Sequence, residues 1–400
     1  MEAINYSKQY PDNESIYREF TALCEHGSLE KLIILWKLTE LNLDEYMLYW
    51  NHEAFSKAFE FNREIAVWLL EHCSGETKSL LFRQYILPDT LHVSMFILDH
   101  IDQGDKEQCI MDAFPNMCAL GDIKFIDKLS SSDEFKQKLY LPKNAHPGFV
   151  KACEYGHYDL VLKILRESYG VTPIQTSKKK YIEIIDALGI RLIHMNDGEA
   201  FIAACANGHL DIAKHLFSRC AEWPEYDDHL LSMGNYRAFR KAYRYLNILE
   251  WIWSVRPRNP IMNDNGWITL GTYQTRYAVD LLAVGNYYIF RHATQYGCLD
   301  VMKWCVKKAG NTVKMITADN HYALRHCSLI CLEYLLSLYT QHNITQPERI
   351  MMRYRTNESN GRSLSAFRFP WYTWTKKYQI ASPEKISKPK ARIGQPRKHN

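Results

Sequence analysis

Two cysteine–histidine pairs are the residues in this chain whose types and spacing could do chemistry. Cys153 precedes His157 by four positions, and Cys205 precedes His209 by the same distance. A cysteine beside an imidazole base is the arrangement that nucleophilic catalysis by cysteine uses. The recurrence of the spacing favours a structural origin, because a catalytic pair has no reason to repeat along a chain. We therefore predict no catalytic residue, with the cysteines packed inside and the histidines in turns.

Metal binding is the second chemistry that these residue types could support. His321, His326, Cys327 and Cys331 lie in one short stretch, but no pair of cysteines has the CxxC spacing of structural zinc sites. The chain also lacks a phosphate-binding glycine loop, a nucleophile elbow and an HExxH motif. The sequence therefore predicts no metal and no cofactor. An enzyme whose unrecognised active site lies in an insertion is the alternative hypothesis.

A repeated pattern explains the positions of the cysteines and histidines. Its first residue, here termed the anchor, is one of seven phenylalanines: Phe20, Phe55, Phe114, Phe149, Phe201, Phe239 and Phe290. An alanine or another apolar residue follows three positions later, and a cysteine often comes one position after that. Five copies have glycine seven positions after the anchor, and a sixth has asparagine: Gly27, Gly121, Gly156, Gly208 and Gly297, with Asn62. These residues suit a helix end with positive φ.

An apolar stripe at helical spacing resumes after each turn, as at Leu160, Val161 and Ile164. The pattern therefore predicts a short helix, a glycine turn and a second helix. One such pair cannot bury its apolar face alone, so neighbouring pairs must stack. We predict an all-α helical repeat solenoid of about eight copies, including a last copy from Tyr322. A decayed copy would contribute a helix that contains Leu91 and Leu98.

The repeats resemble the ankyrin family. The segments Gly156-His157-Tyr158-Asp159-Leu160-Val161 and Gly208-His209-Leu210-Asp211-Ile212-Ala213 match that family's glycine–histidine turn and the start of its second helix. A third segment, Gly297-Cys298-Leu299-Asp300-Val301, matches with the histidine replaced. The Thr-Pro-Leu-His opening of the family is absent from every copy, so regular β-hairpins between repeats are not expected.

The resemblance implies a non-enzymatic scaffold that binds a protein partner. Degenerate repeats rich in lysine, tyrosine and isoleucine look like ankyrin proteins of intracellular bacteria or large viruses. That likeness implies an effector that acts inside a eukaryotic host cell and binds a host protein.

The chain divides into a polar lead-in (1–15), the repeat array (16–340), an aromatic cap (341–378) and a basic tail (379–400). Three insertions interrupt the array, at about 168–199, 221–237 and 254–288. Insertions in repeat arrays usually form loops on one face, often the binding face. We therefore predict binding residues in these insertions: Lys178, Lys179, Lys180, Trp223, Tyr226, Trp267 and Tyr273. For each aromatic residue the alternative is that it pins its insertion onto the repeats.

Cysteine content and charge indicate the compartment of the chain and the kinds of partner it could bind. The chain has eleven cysteines, an odd number, and Cys24, Cys118, Cys153 and Cys205 share one repeat position, which indicates a reducing, cytoplasmic compartment. No apolar run is long enough for a transmembrane helix. Residues 351–400 hold twelve Lys or Arg and two Glu, whereas the whole chain has a net charge of only +4. The predicted disordered tail could therefore bind nucleic acid or an anionic membrane, could act as a targeting signal, or could merely solubilise the chain.

Overall fold

The computed structural model describes residues 13–39, 42–48, 52–130, 132–169, 178–221, 229–255, 269–270, 273–274 and 280–344. The first ten helices are α1 (Asn13–His26), α2 (Leu29–Thr39), α3 (Leu43–Leu48), α4 (Glu53–Phe61), α5 (Arg63–His72), α6 (Gly75–Gln84), α7 (Leu91–Asp99), α8 (Gln103–Leu120), α9 (Ile123–Leu129) and α10 (Asp133–Leu139). The next ten are α11 (Pro142–Tyr155), α12 (Tyr158–Tyr169), α13 (Lys178–Ala206), α14 (Leu210–Ala221), α15 (His229–Lys241), α16 (Leu246–Val255), α17 (Val284–Gln295), α18 (Leu299–Lys308), α19 (Thr312–Arg325) and α20 (Leu329–Gln341). A 3₁₀ turn, Pro88–Thr90, precedes α7.

The helices form pairs that pack in chain order, which confirms the all-α prediction. The first helices of the last five pairs are α11, α13, α15, α17 and α19, and each of them contacts the next. Second helices make a parallel series, in which α12 contacts α14, α16 contacts α18, and α18 contacts α20. The described residues contain nine helix pairs. One of them, α6 and α7, lies where the sequence pattern had decayed.

The seven anchor phenylalanines lie in the core. All of them are at most 1% exposed, as are the alanines three positions later, from Ala58 to Ala293. The anchors also contact neighbouring elements through their ring edges: Phe114 meets Tyr140 at 5.8 Å between ring centroids, and Phe201 meets Trp251 at 6.3 Å. The segments around Phe149 and Phe201 are helical, as the repeat pattern predicts.

The first insertion is not an irregular loop in its described part. From Lys178 onward it belongs to α13, and Leu192 and Ile193 are fully buried. The described part, 178–199, is therefore mostly helical, with an interruption at 195–198, and is not the loop that insertions usually form. In the third insertion, β1 (Thr269–Leu270) pairs antiparallel with β2 (Tyr273–Gln274). The lead-in up to residue 12, the cap from residue 345 and the basic tail lie outside the described residues.

Candidate interaction surface

The glycine turns form the joints between successive helix pairs. His157 Nε2 donates a hydrogen bond to the carbonyl oxygen of Ala119 in the preceding pair, at 2.7 Å. A Cβ atom on Gly121 would lie only 2.4 Å from the His157 ring, and Gly121 has a φ of +79°. Glycine is therefore required at this position both by the backbone conformation and by the close approach of the next pair. The predicted glycine–histidine turn therefore joins one helix pair to the preceding one.

The same joint recurs with different partners. His209 Nε2 donates to the carbonyl of Glu154 at 2.9 Å, and its ring lies against Gly156. In the next copy Tyr245 replaces the histidine, and its ring lies against Gly208. In the first copies the positive-φ prediction is wrong: Gly27 is not left-handed, and Asn62 has a φ of −144°. Asn62 instead caps α5 and donates to the carbonyl of Gly27 at 3.1 Å.

A second turn, which the sequence analysis missed, precedes the anchor in the last four pairs. Three consecutive residues have left-handed φ and ψ angles at 196–198, 234–236, 285–287 and 319–321. Runs of this kind are rare because each L-residue in this region is strained. In three copies the arginine four positions after the end of the turn donates to carbonyl groups of that turn: Arg240, Arg291 and Arg325. The recurring sequence Gly-Asn-Tyr-x-x-Phe-Arg at 234–240 and 285–291 could have revealed it.

The cysteines show no sign of activation. Cys153 and Cys205 are completely buried, and burial raises the pKa of each thiol well above its usual range. A nucleophilic cysteine needs the opposite shift, because the thiolate is the reactive form. Moreover, His157 and His209 hydrogen-bond to carbonyl groups of the preceding pair.

The described structure does not test the predicted binding residues in the insertions. Lys178, Lys179 and Lys180 begin α13, and Tyr273 lies in β2, but the description of both segments covers the backbone only. Trp223, Tyr226 and Trp267 lie outside the described residues. Their predicted role in binding stays a prediction.

An open groove of about 970 Å³ lies along the turns of the pairs α11–α12 and α13–α14. Tyr158, Asp211, Lys214 and His215 are among its lining residues. The Tyr158 hydroxyl is 3.4 Å from His215 Nδ1, which is a long contact for a hydrogen bond. Ser218, also in the groove, donates to the backbone carbonyl of His215 at 2.8 Å. These contacts do not form the nucleophile–base pair of a catalytic site.

A group of aromatic and cationic side chains lies on the first helices of the last three pairs and in the turns that follow these helices. We call it the basic aromatic surface and define it by Tyr243, Arg244, Tyr288, His292, Tyr296 and Tyr322. The Tyr243 ring stacks on Tyr296 at 5.4 Å and lies 5.5 Å from His292. His292 in turn contacts Tyr288 at 3.9 Å and Tyr322 at 6.0 Å. The Arg244 guanidinium lies 4.8 Å from the Tyr296 ring centroid.

Electrostatics on this surface favour negatively charged ligands. Burial, together with the charges of Arg291 and Lys241, lowers the pKa of His292 to about 4. The imidazole is therefore neutral near pH 7, and the local positive charge comes from the arginines and lysines. The three first-helix segments 229–244, 280–297 and 312–327 contain seven Lys or Arg but only two Asp. One of the two, Asp319, forms an ion pair with Arg291.

This positive region contrasts with the start of the chain. Residues 1–130 contain 22 Asp or Glu and 11 Lys or Arg. Residues 229–350 contain only 7 Asp or Glu but 14 Lys or Arg. The nearly neutral total therefore hides a strong separation of charge along the array.

Two further observations limit the chemistry of the described residues. They contain no group of three or more His, Cys, Asp or Glu side chains placed to hold a metal ion. None of the helices that the structure describes is long and apolar enough to cross a membrane.

Comparison with family models, with curated proteins and with solved structures gives no match to this chain.

Proposed function

We propose that this chain is a non-enzymatic scaffold for protein–protein interaction, built as an ankyrin-like solenoid with insertions. Nine stacked helix pairs and the glycine–histidine turns at Gly156 and Gly208 support the ankyrin-like interpretation. The proposed binding face is the outward side of the first helices. A stacked array loses little conformational entropy on binding, because its surface is already ordered.

The basic aromatic surface is the observation that carries the proposal. Tyrosine and arginine are enriched among the residues that dominate binding energy at protein interfaces. Here they lie in one contiguous group that three helix pairs hold in place, and Tyr296 is 50% exposed. The buried cysteines with raised pKa values, by contrast, give no support to a cysteine-based enzyme.

The compartment belongs to the same proposal. Ten of the eleven free cysteines are buried, as expected of a chain that needs no disulfides. A reducing cytoplasm suits such a chain. The resemblance to ankyrin proteins of intracellular bacteria and large viruses extends the proposal to an effector that binds a host protein.

Site-specific crosslinking tests the proposed face directly. A photo-crosslinking amino acid would replace Tyr296 in the full chain, or Ile34 on the second-helix layer as a control of equal exposure (50% and 49%). Each protein would be irradiated in a eukaryotic cell extract, and the adducts identified by mass spectrometry. We expect defined protein adducts from position 296 but not from position 34. Equal adducts at both positions, or none at either, would refute the proposed binding face.

A further inference from the structure

We propose that the basic aromatic surface binds an acidic segment of a partner protein, with Asp or Glu carboxylates bound by Arg244 and its neighbour Lys241. This inference rests on the proposed scaffold function and specifies the chemistry of the partner. It is carried by the ring contacts, by the cations that lack carboxylate partners, and by the charge of the surrounding helices.

The first step is that two exposed cations of this region have no carboxylate partner in the described part of the chain. Some lysines of the earlier helix pairs, by comparison, bind carboxylates of neighbouring helices: Lys57 with Glu25, Lys136 with Glu167, Lys138 with Glu107, and Lys163 with Asp127. Lys241 and Arg244 are exposed, and neither forms an ion pair within the described part of the chain. Two cations three positions apart, without a carboxylate partner among the described residues, suit an external acidic group.

The second step concerns how Arg244 is held. Its guanidinium lies against two rings, 4.8 Å from the centroid of Tyr296 and 5.5 Å from that of Tyr243. Contact with a ring attracts the cation while leaving its N–H groups free to point outward. A guanidinium in this state can bind a carboxylate with two parallel hydrogen bonds, and the tyrosines limit the side-chain entropy that binding would cost.

The other arginines of the region strengthen the site without competing for the ligand. Arg240 and Arg325 donate to carbonyls of their own left-handed turns, and Arg291 pairs with Asp319. Their positive charge nevertheless contributes to the field over the surface. An acidic segment would therefore be attracted by the whole face and bound specifically at Arg244 and Lys241.

Single-stranded nucleic acid fits this geometry less well. Proteins that bind single strands stack the bases on aromatic side chains whose ring faces are open. The interplanar angle between Tyr243 and Tyr296 is 29°, and that between His292 and Tyr296 is 15°, so these rings already stack on one another. The guanidinium of Arg244 occupies further ring surface. These ring faces are therefore partly covered, and the N–H groups of Arg244 suit carboxylates and peptide groups better than bases.

The basic tail of the same chain is excluded as the ligand by its charge, since residues 351–400 carry the same sign as the surface. A second copy of the chain is the remaining self-interaction, because its first 130 residues are acidic. Sedimentation of the purified chain separates that case from a foreign partner. Concentration-dependent association that the charge-reversed variant K241E/R244E abolishes would assign the surface to another copy and overturn the proposal.

The test is a selection of random 12-residue peptides displayed on phage, with the intact chain as bait. Selected peptides would then be synthesised and their binding measured by fluorescence anisotropy. The variant K241E/R244E removes the two cations, and K307E/K308E makes the same change in charge at the end of α18. Circular dichroism would establish that both variants fold.

We expect the selected peptides to be enriched in Asp and Glu relative to the library. The loss of charge-assisted hydrogen bonds should weaken their binding to K241E/R244E about 10- to 100-fold. Binding to K307E/K308E should stay within about twofold of the original chain, since more distant exposed charges are largely screened. Adding salt should weaken binding to the original chain far more than to K241E/R244E.

Three results would overturn the inference. The selected peptides could lack acidic enrichment, they could bind K241E/R244E as tightly as the original chain, or the RNA oligomer rU12 could bind more tightly than any selected peptide and lose its affinity in that variant. The crosslinking experiment at position 296 is independent of peptide charge. Adducts at that position together with non-acidic peptides would refute only the acidic partner, whereas the absence of adducts would refute the binding face itself.

Discussion

Replacement of Gly156 by alanine should destabilise the joint between the pairs α11–α12 and α13–α14. Gly156 has a φ of +80°, and a Cβ atom there would lie 2.4 Å from the ring of His209. The left-handed backbone should cost alanine about 1–2 kcal/mol relative to glycine. Displacement of His209 from the Glu154 carbonyl should cost about 1 kcal/mol more. Alanine also reduces the conformational freedom of the unfolded chain, which offsets about 0.5 kcal/mol of this cost. The free energy of unfolding should therefore fall by about 2 kcal/mol.

Urea unfolding followed by circular dichroism measures the free energy of unfolding, and hydrogen exchange of α11 and α13 reports the local effect. Local exchange is needed because pairs in a repeat array can open separately from the rest. The matched control is Gly104→Ala near the start of α8. Nothing lies within 4 Å of the added methyl group there, and the φ of Gly104 is not positive. That variant should be unchanged or more stable by about 0.5 kcal/mol.

A double-mutant cycle with His209→Ala separates backbone strain from the contact with the ring. Without the imidazole, Gly156→Ala should cost only the backbone term of about 1 kcal/mol, so the two substitutions should be coupled by about 1 kcal/mol. A loss below about 0.5 kcal/mol for Gly156→Ala, or an unchanged loss in the His209→Ala background, would show that the joint does not depend on this contact.

Three further predictions follow from the structure. Arg325→Met removes two hydrogen bonds to the turn at 319–321 and should lower the free energy of unfolding by about 1–2 kcal/mol, measurable by thermal melting. Because the folded-state pKa of His292 is about 4, the unfolded chain binds more protons between pH 6.5 and pH 4. The free energy of unfolding should therefore fall as pH drops through that window. In urea unfolding, the variant His292→Gln should lose less of this free energy over the same window than the original chain. With a thiol reagent, half-buried Cys298 should react before the ten buried cysteines, and all eleven should react after denaturation.

The helix pairs could be predicted from the sequence because the same residue types recur at fixed offsets within the copies, although the copies are unevenly spaced. Most anchors, such as Phe149, are followed by alanine and glycine at fixed offsets, and these offsets correspond to a buried face and a helix end. The left-handed turns could not be predicted from local preference. Tyr236 and Tyr287 have positive φ, a region that a bulky L-residue rarely adopts, so their types argue against the conformation they take. Only comparison between copies could have revealed those turns.

The proposed binding face lies in other elements than those the sequence analysis favoured, and the predicted binding residues of the insertions remain untested. Aromatic residues in the insertions, such as Trp223 and Trp267, were favoured because loops often carry function. The structure instead groups Tyr288, His292 and Tyr296 on one face of α17 and its end, where a spacing of four residues places them together. That spacing is visible in the sequence, but the contact with Tyr243 of the preceding pair depends on how the pairs stack.

The stacking joints and the basic aromatic surface are therefore parts of one arrangement. The distance between Tyr243 and Tyr296 is fixed by the packing of α15 against α17, and the ring of Tyr243 reaches the next pair only because that packing is close. Arg240 links the same two pairs, since it caps its own turn and lies 3.1 Å from the position of a Cβ atom on Gly285. A substitution that loosens this packing should consequently disturb the surface without changing any of its residues. Gly285→Ala is such a case, and we expect it to weaken the binding of a selected acidic peptide while Arg244 and Lys241 remain in place.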